Sequence, residues 1–372
     1  MKITVSKESL ENAINTVNSA VEDSAEDIHS HFLFRVRDGK GDVLASNGTR
    51  VFASASVDCE AEDDIIFSVG AWRMRQLMKS TKDENITFLV DGSTVTVAMT
   101  QGEVTYSSLD PSGFPFWDQQ FENAVPIGKI EGSRLHDALS YTKNFISDRE
   151  NQMPALAAME AREGSLWATD QVAVSLVTVK GLDESKLSIH RNDVGKVMSF
   201  LSSKGSEQVE VREHERCTLF VRDDGGVLGV TRWQYPFPVL KLQKDSPVKC
   251  EFEVNGDELK RLISFLISAA KKNDPKVTFK YDRTAAKIVL EMDSAFAGKV
   301  GRTSMGIVSS KGMDEFPEDG FALNFTYITK IMSQFSEDTL TFGVSWTNKN
   351  GYVRFRHDHN GDDYLTVVVW LK

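Results

Sequence analysis

The sequence has no apolar run approaching the roughly 18 residues that a membrane-crossing helix needs, so no such span is expected. Its opening, MKITVSKESL, alternates like a strand and lacks the apolar core of a secretory signal. Cysteine is scarce. Cys59, Cys217 and Cys250 are odd in number, far apart and without a CxxC spacing, which favours a reducing cytoplasm with the thiols buried or idle. There is no P-loop, no Gly-x-Ser-x-Gly elbow and no Cys/His nucleophile arrangement, so no catalytic residue and no cofactor are expected. Net positive charge is also missing. The balance is -11, which taken whole argues against a nucleic-acid binder.

What is present is a repeat. The chain has 372 residues, 41% hydrophobic and 26% charged, which is ordinary globular composition with room for two or three domains. The first amphipathic stretch, residues 7–21, places Ala13, Ile14, Val17, Ala20 and Val21 at +3, +4, +7, +10 and +11 from Leu10. The same offsets recur from Leu135 (Ala138, Leu139, Thr142, Phe145, Ile146) and from Leu259 (Leu262, Ile263, Leu266, Ala269, Ala270). The leading leucines lie 125 and 124 residues apart, and each stretch follows an alternating strand: KITVS, IGKIE or EFEVN. Ser6, Ser133 and Asp257 are the expected N-caps. A second helix follows later in each copy, over 70–80, 190–204 and 324–335, with an apolar-Met pair at Leu77–Met78, Val197–Met198 and Ile331–Met332.

Such a period far exceeds that of solenoid repeats, so the copies are domain-sized: 1–122, 123–246 and 247–372. Between the helices lie short strands rich in β-branched and aromatic residues, which gives an α+β fold with helices on one sheet face. Phe114-Pro115 and Phe237-Pro238, whose prolines lie 123 residues apart, read as punctuation between copies. Phe316-Pro317 is off the period and reads as a chance pair in an acidic turn.

The charges are segregated. Over 7–21, 71–82, 132–147, 190–204, 257–272 and 325–335 the helices carry a net +9, leaving -20 for everything else. Helix preference alone does not explain this, because Glu is as good a helix former as Lys. The cations gather toward the second helices or the ends of the first: Arg73, Arg75, Lys79 and Lys82, then Arg191, Lys196 and Lys204, then Lys271 and Lys272, with Lys143 inside the segment 132–147 and Arg149 just beyond it. If these helices share one surface, it would hold a phosphate backbone without reading sequence, while the acidic remainder repels DNA.

Three tandem units of this kind resemble the bacterial-type DNA sliding clamp, the β subunit of the replicative polymerase. The likeness runs through MKITVSKESL, VTYSSLDPSGFPFWD, SLWATDQVAVSLV, ALNFTYITKIM and the terminal YLTVVVWLK. It implies a head-to-tail homodimer of three-domain subunits, a closed ring whose twelve helices line a hole for double-stranded DNA. Val104, Tyr106, Ile267 and Ala269 would lie at the dimer interface. It also implies a hydrophobic pocket for the polymerase and clamp loader, built from Thr169, Val172 and Val174, from Leu156, Pro238 and Leu242, and from Val367, Val368 and Val369. The family's Gly-His-Arg-Leu after the Asp is here Gln171–Val174, and the Met-Pro-Met tail is missing. That divergence fits a virus with its own polymerase, which would place the protein in a host cytoplasm.

Other readings stand beside this one. His29/His31 and His357/His359 could each ligate a metal, though spacing fixes no third ligand. DHNGDDY lacks the glutamate of a calcium loop and reads as a hairpin with Asn360-Gly361 at its tip. A triplicated scaffold that binds only proteins would share the fold but leave the basic helices unexplained. A monomeric pseudo-ring would differ in subunit count.

Overall fold

The computed structural model describes the chain apart from residues 24–25, 184, 203–207, 239–246, 270–275, 295–297, 334–338, 348–350 and 372. The chain divides into two compact units, Met1–Asp137 with Glu184–Gln234, and Ala138–Asp183 with Tyr235–Lys372. Seven α-helices occur among the described residues: α1 Lys7–Val17, α2 Ala71–Ser80, α3 Asp118–Asn123, α4 Gly132–Lys143, α5 Arg191–Ser202, α6 Gly256–Ala269 and α7 Phe325–Met332. All but α3 start on the residue after a strand. Both the fold class and the strand-then-helix order expected from the periodicity are present.

The apolar offsets do the work assigned to them. Leu10, Ala13, Ile14 and Val17 are buried on α1, and Leu135, Ala138, Leu139 and Thr142 on α4. Both of these helices stop before their apolar pattern does. After Val17 the chain tightens into a 3₁₀ turn, Asn18–Ala20, which still buries Ala20. Ser6 caps α1 as expected, accepting from the Ser9 amide at 3.5 Å. The other two caps are corrected. Ser133 sits inside the first turn of α4 and donates to Glu131 Oε1. On α6 the cap is Asn255, whose Oδ1 accepts from the Glu258 amide at 2.9 Å, with Asp257 inside the first turn.

The first unit holds two antiparallel sheets. One has the order Cys59–Ala61, Lys2–Ser6, Asn85–Asp91, Thr94–Met99, Gly102–Ser107. The last of these strands ends the sheet and is almost wholly exposed. The other sheet has eight strands, in which Val227–Thr231 pairs with Val51–Val57. In the second unit, Ala173–Thr178 pairs with Asp362–Val369, the next strand being Gly351–His359. A four-stranded sheet there ends on Gly298–Gly306. The Asn360-Gly361 tip has positive φ at both residues (54° and 78°), as a two-residue primed turn requires, and His359 faces Asp362 across it.

Two of the three Phe-Pro pairs share a local device. A 3₁₀ turn, Pro111–Gly113, delivers Phe114, whose amide donates to the Pro111 carbonyl at 2.9 Å. Phe114 then packs into a cluster with Phe52 and Trp117. Gly229 floors that cluster, because a Cβ there would lie 2.8 Å from the Trp117 ring. Phe316-Pro317 repeats the device: Met313–Glu315 is a 3₁₀ turn, and the Phe316 amide donates to Met313 O at 3.2 Å. Phe316 is buried against Phe252 and Phe321. The pair is thus a core anchor built like the first, although it lies off the period. Phe237 is anchored differently. Its carbonyl accepts from Arg162 Nη2 (2.6 Å) and its amide donates to Glu160 Oε2 (3.2 Å).

Candidate functional site

In the first unit the cations project from α2 and α5. Helix α2 buries Ala71, Met74, Leu77 and Met78, which turns Arg73 and Lys79 outward, with Lys82 exposed just beyond its end. The Arg73 guanidinium lies 6.0 Å from the centre of the Tyr106 ring. Arg75 is held inward and already paired: Nη1 donates to Asn18 Oδ1 and Nη2 to Asp23 Oδ1, both at 2.7 Å.

Helix α5 buries Val194, Val197, Phe200, Leu201 and, unexpectedly, Asp193. The Asp193 carboxylate lies 3.6 Å from Arg50 Nε. Arg50 Nη1 is 3.1 Å from His190 Nδ1, and the His190 ring lies over Trp233 at 4.2 Å. Burial pushes the Asp193 carboxyl above the usual carboxylate range, opposed by Arg50, Lys196 and His190. Burial likewise lowers Lys196, opposed by Asp193 and Glu22. Lys196 therefore belongs to a charge cluster rather than a free surface, and Arg191, the first residue of α5, is half-buried.

In the second unit Lys143 and Arg149 are exposed. Lys330 of α7 adds a cation the sequence reading did not single out. Its Nζ lies 5.8 Å from the Phe145 ring centre, 5.2 Å from that of Tyr327 and 3.9 Å from Asp170 Oδ2. Lys204, Lys271 and Lys272 lie outside the described residues.

In the second unit Thr169 pairs with Val174, Val174 with Val367, and the turn at Val172 lies beside Val368 and Val369; Leu156 and Pro238 belong to the same unit. Asp170 shapes a tight turn: Oδ1 accepts from the amides of Val172 (3.1 Å) and Ala173 (2.9 Å), and Gln171 takes a φ of 81°. The other carboxylate oxygen accepts from the Tyr327 hydroxyl at 2.8 Å. Burial, reinforced by Asp170, keeps that phenol protonated well above its ordinary range. The turn presents Val172, 38% exposed, and its carbonyl accepts from the Val369 amide at 3.0 Å. Val174, Pro238 and Val369 are half-buried. Leu156, Thr169, Val367 and Val368 lie beneath the surface, and the Thr169 hydroxyl is already used, donating to Ala173 O at 2.7 Å. Leu242 lies outside the described residues. Exposed Met153 and Tyr235 belong to the same unit and were not anticipated, since isolated large apolar residues carry no sequence signature.

Of the interface candidates, Val104 and Tyr106 stand on the exposed terminal strand Gly102–Ser107. Ile267 is half-buried on α6, and the side chain of Ala269 lies outside the description. Among the described residues no group of three or more potential metal ligands converges. No described helix is long and apolar enough to cross a membrane.

No protein-family model and no curated protein matches the sequence. Solved structures do match in fold over the whole chain. The DNA polymerase III beta subunit of Thermotoga maritima aligns with a TM-score of 0.79 at 17% identity, covering 100% of this chain and 99% of that one. The DNA polymerase sliding clamp of Bacillus subtilis aligns at 0.83 and 16% identity, with the same coverage. The subunit beta of Pseudomonas aeruginosa aligns at 0.82 and 15% identity, covering 100% of both chains. At such identities it is the backbone architecture that is shared, and the chain has the fold of the bacterial DNA polymerase III beta subunit, the sliding clamp.

Proposed function

We propose that the protein is a DNA polymerase processivity factor: a homodimeric ring that encircles duplex DNA without sequence preference and tethers a replicative polymerase. The carrying observation is the full-length likeness in fold to sliding clamps. It is supported by outward cations on helices of an otherwise acidic chain. Such a protein makes and breaks no covalent bond. Its work is to raise the effective concentration of the polymerase at its template. Loose phosphate contacts suit sliding, whereas base-specific ones would arrest it.

The three-domain division and the dimer belong to this proposal. Two sheets reach full width within the chain, through the pairing of Val51–Val57 with Val227–Thr231 and of Ala173–Thr178 with Asp362–Val369. The five- and four-stranded sheets end instead on the long strands Gly102–Ser107 and Gly298–Gly306. Unpaired edges of that length recruit partners, and joining them between two copies closes a ring. The corner around Val172 and Val369 is the proposed docking site for polymerase and clamp loader.

The deciding experiment is topological. The protein should remain on closed circular duplex at a salt concentration at which it leaves linear duplex of the same sequence. Equal loss from both would defeat the ring, and a failure to bind either at low salt would defeat the DNA role and favour the protein-only scaffold.

A further inference from the structure

The chain carries a counter-charge for a cation of helix α2. Between the 3₁₀ turn Asn18–Ala20 and the strand His31–Arg37 the sequence places Glu22, Asp23, Glu26 and Asp27. The base of this segment is pinned. The Glu22 amide donates to His29 O at 3.0 Å, and Asp27 Oδ1 accepts from the His29 amide at 3.0 Å. From that base one acidic side chain addresses a cation of a helix: Asp23 takes Arg75 of α2, with Asn18 completing a two-point grip on the guanidinium. A carboxylate presented to a guanidinium in this way occupies the place of a phosphate oxygen.

Stability does not account for the arrangement. Asp23 is 65% exposed, and an ion pair whose carboxylate is open to solvent contributes little to folding. For the same reason the pair is readily exchanged for another anion. We propose that Asp23 acts as an in-cis phosphate mimic, competing with DNA for Arg75 and thereby setting how strongly the protein grips duplex. The inference rests on the DNA-binding reading above, and it names a residue that limits the contact rather than makes it.

The test is the salt dependence of duplex binding by the full chain, read by fluorescence anisotropy with a 5′-labelled duplex oligonucleotide. Each phosphate engaged steepens log K against log salt by about 0.9, so freeing Arg75 in Asp23→Asn should steepen the slope by roughly 0.9. The variant should then lose about three- to fourfold more affinity than the parent between ~50 and ~200 mM salt, starting from tighter binding. Adding Arg75→Gln should return the slope to the parental value. A parent that binds duplex with the same slope as Asp23→Asn would overturn the proposal. So would a gain that survives loss of Arg75, since that would be a long-range charge effect. A parent that does not bind duplex at all would remove the DNA reading and this inference with it. Thermal unfolding of parent and variant should coincide, showing that the change lies in binding.

Discussion

Tyr141 and Thr366 bring two fully buried hydroxyls within 2.6 Å of each other. Replacing Tyr141 with Phe keeps the ring and strands the Thr366 hydroxyl, so Tyr141→Phe should cost about 1–2 kcal/mol, read as a lower denaturant midpoint. The thiols offer a second check at this scale. Burial pushes Cys217 up to about 11 and Cys250 up to about 12 from an ordinary 9.0. The native state therefore holds protons that the unfolded chain releases. This contribution is complete below pH 9 and is lost as pH rises from there toward 11 and 12, so stability should fall across that window. A double Cys217→Ala/Cys250→Ala variant should show a shallower fall in unfolding free energy over the same range. Individual roles were the least legible part of the sequence. That Arg75 is cationic and helical can be read from its neighbours. That it faces Asp23 cannot, because the pairing is made by the fold between residues 52 positions apart in the chain. Thr169 was read as a pocket wall, yet its hydroxyl is spent on its own turn.

At the scale of elements the sequence spoke more clearly. Helices with a buried stripe announce themselves by spacing, and six of the seven were visible for that reason. Their ends were not, since a cap depends on which of several polar neighbours the backbone turns toward. Asn255 and Asp257 are chemically equivalent candidates until the chain is folded. The terminal strand illustrates how elements constrain experiments. Val367 and Val368 are buried between Ala173–Thr178 and Gly351–His359, so truncating the chain there would unzip a sheet as well as alter a surface. A point change on the exposed turn isolates the surface. Val172→Asp should reduce polymerase-dependent processive synthesis by at least tenfold while leaving circular dichroism and duplex retention unchanged. Unaltered processivity would mean that partners dock elsewhere.

For the whole molecule the subunit count is the open quantity with the simplest readout. A chain of 41.5 kDa should give twice that mass in solution as the proposed dimer. Lysines on the outer strand, Val104→Lys with Tyr106→Lys, should return it to the mass of one chain, because charged side chains there oppose edge-to-edge pairing. A parent already at one chain mass would favour the pseudo-ring. The two sheet junctions inside the chain differ in a way that has a further consequence. Val51–Val57 meets Val227–Thr231 over four residue pairs, whereas Ala173–Thr178 meets Asp362–Val369 over six. Each pair contributes to one cooperative ladder, so the shorter ladder has the smaller opening free energy. Amide protons at the first junction should therefore exchange with deuterium sooner than those at the second, and the molecule's first breath under native conditions should pass through the strand that begins at Val227.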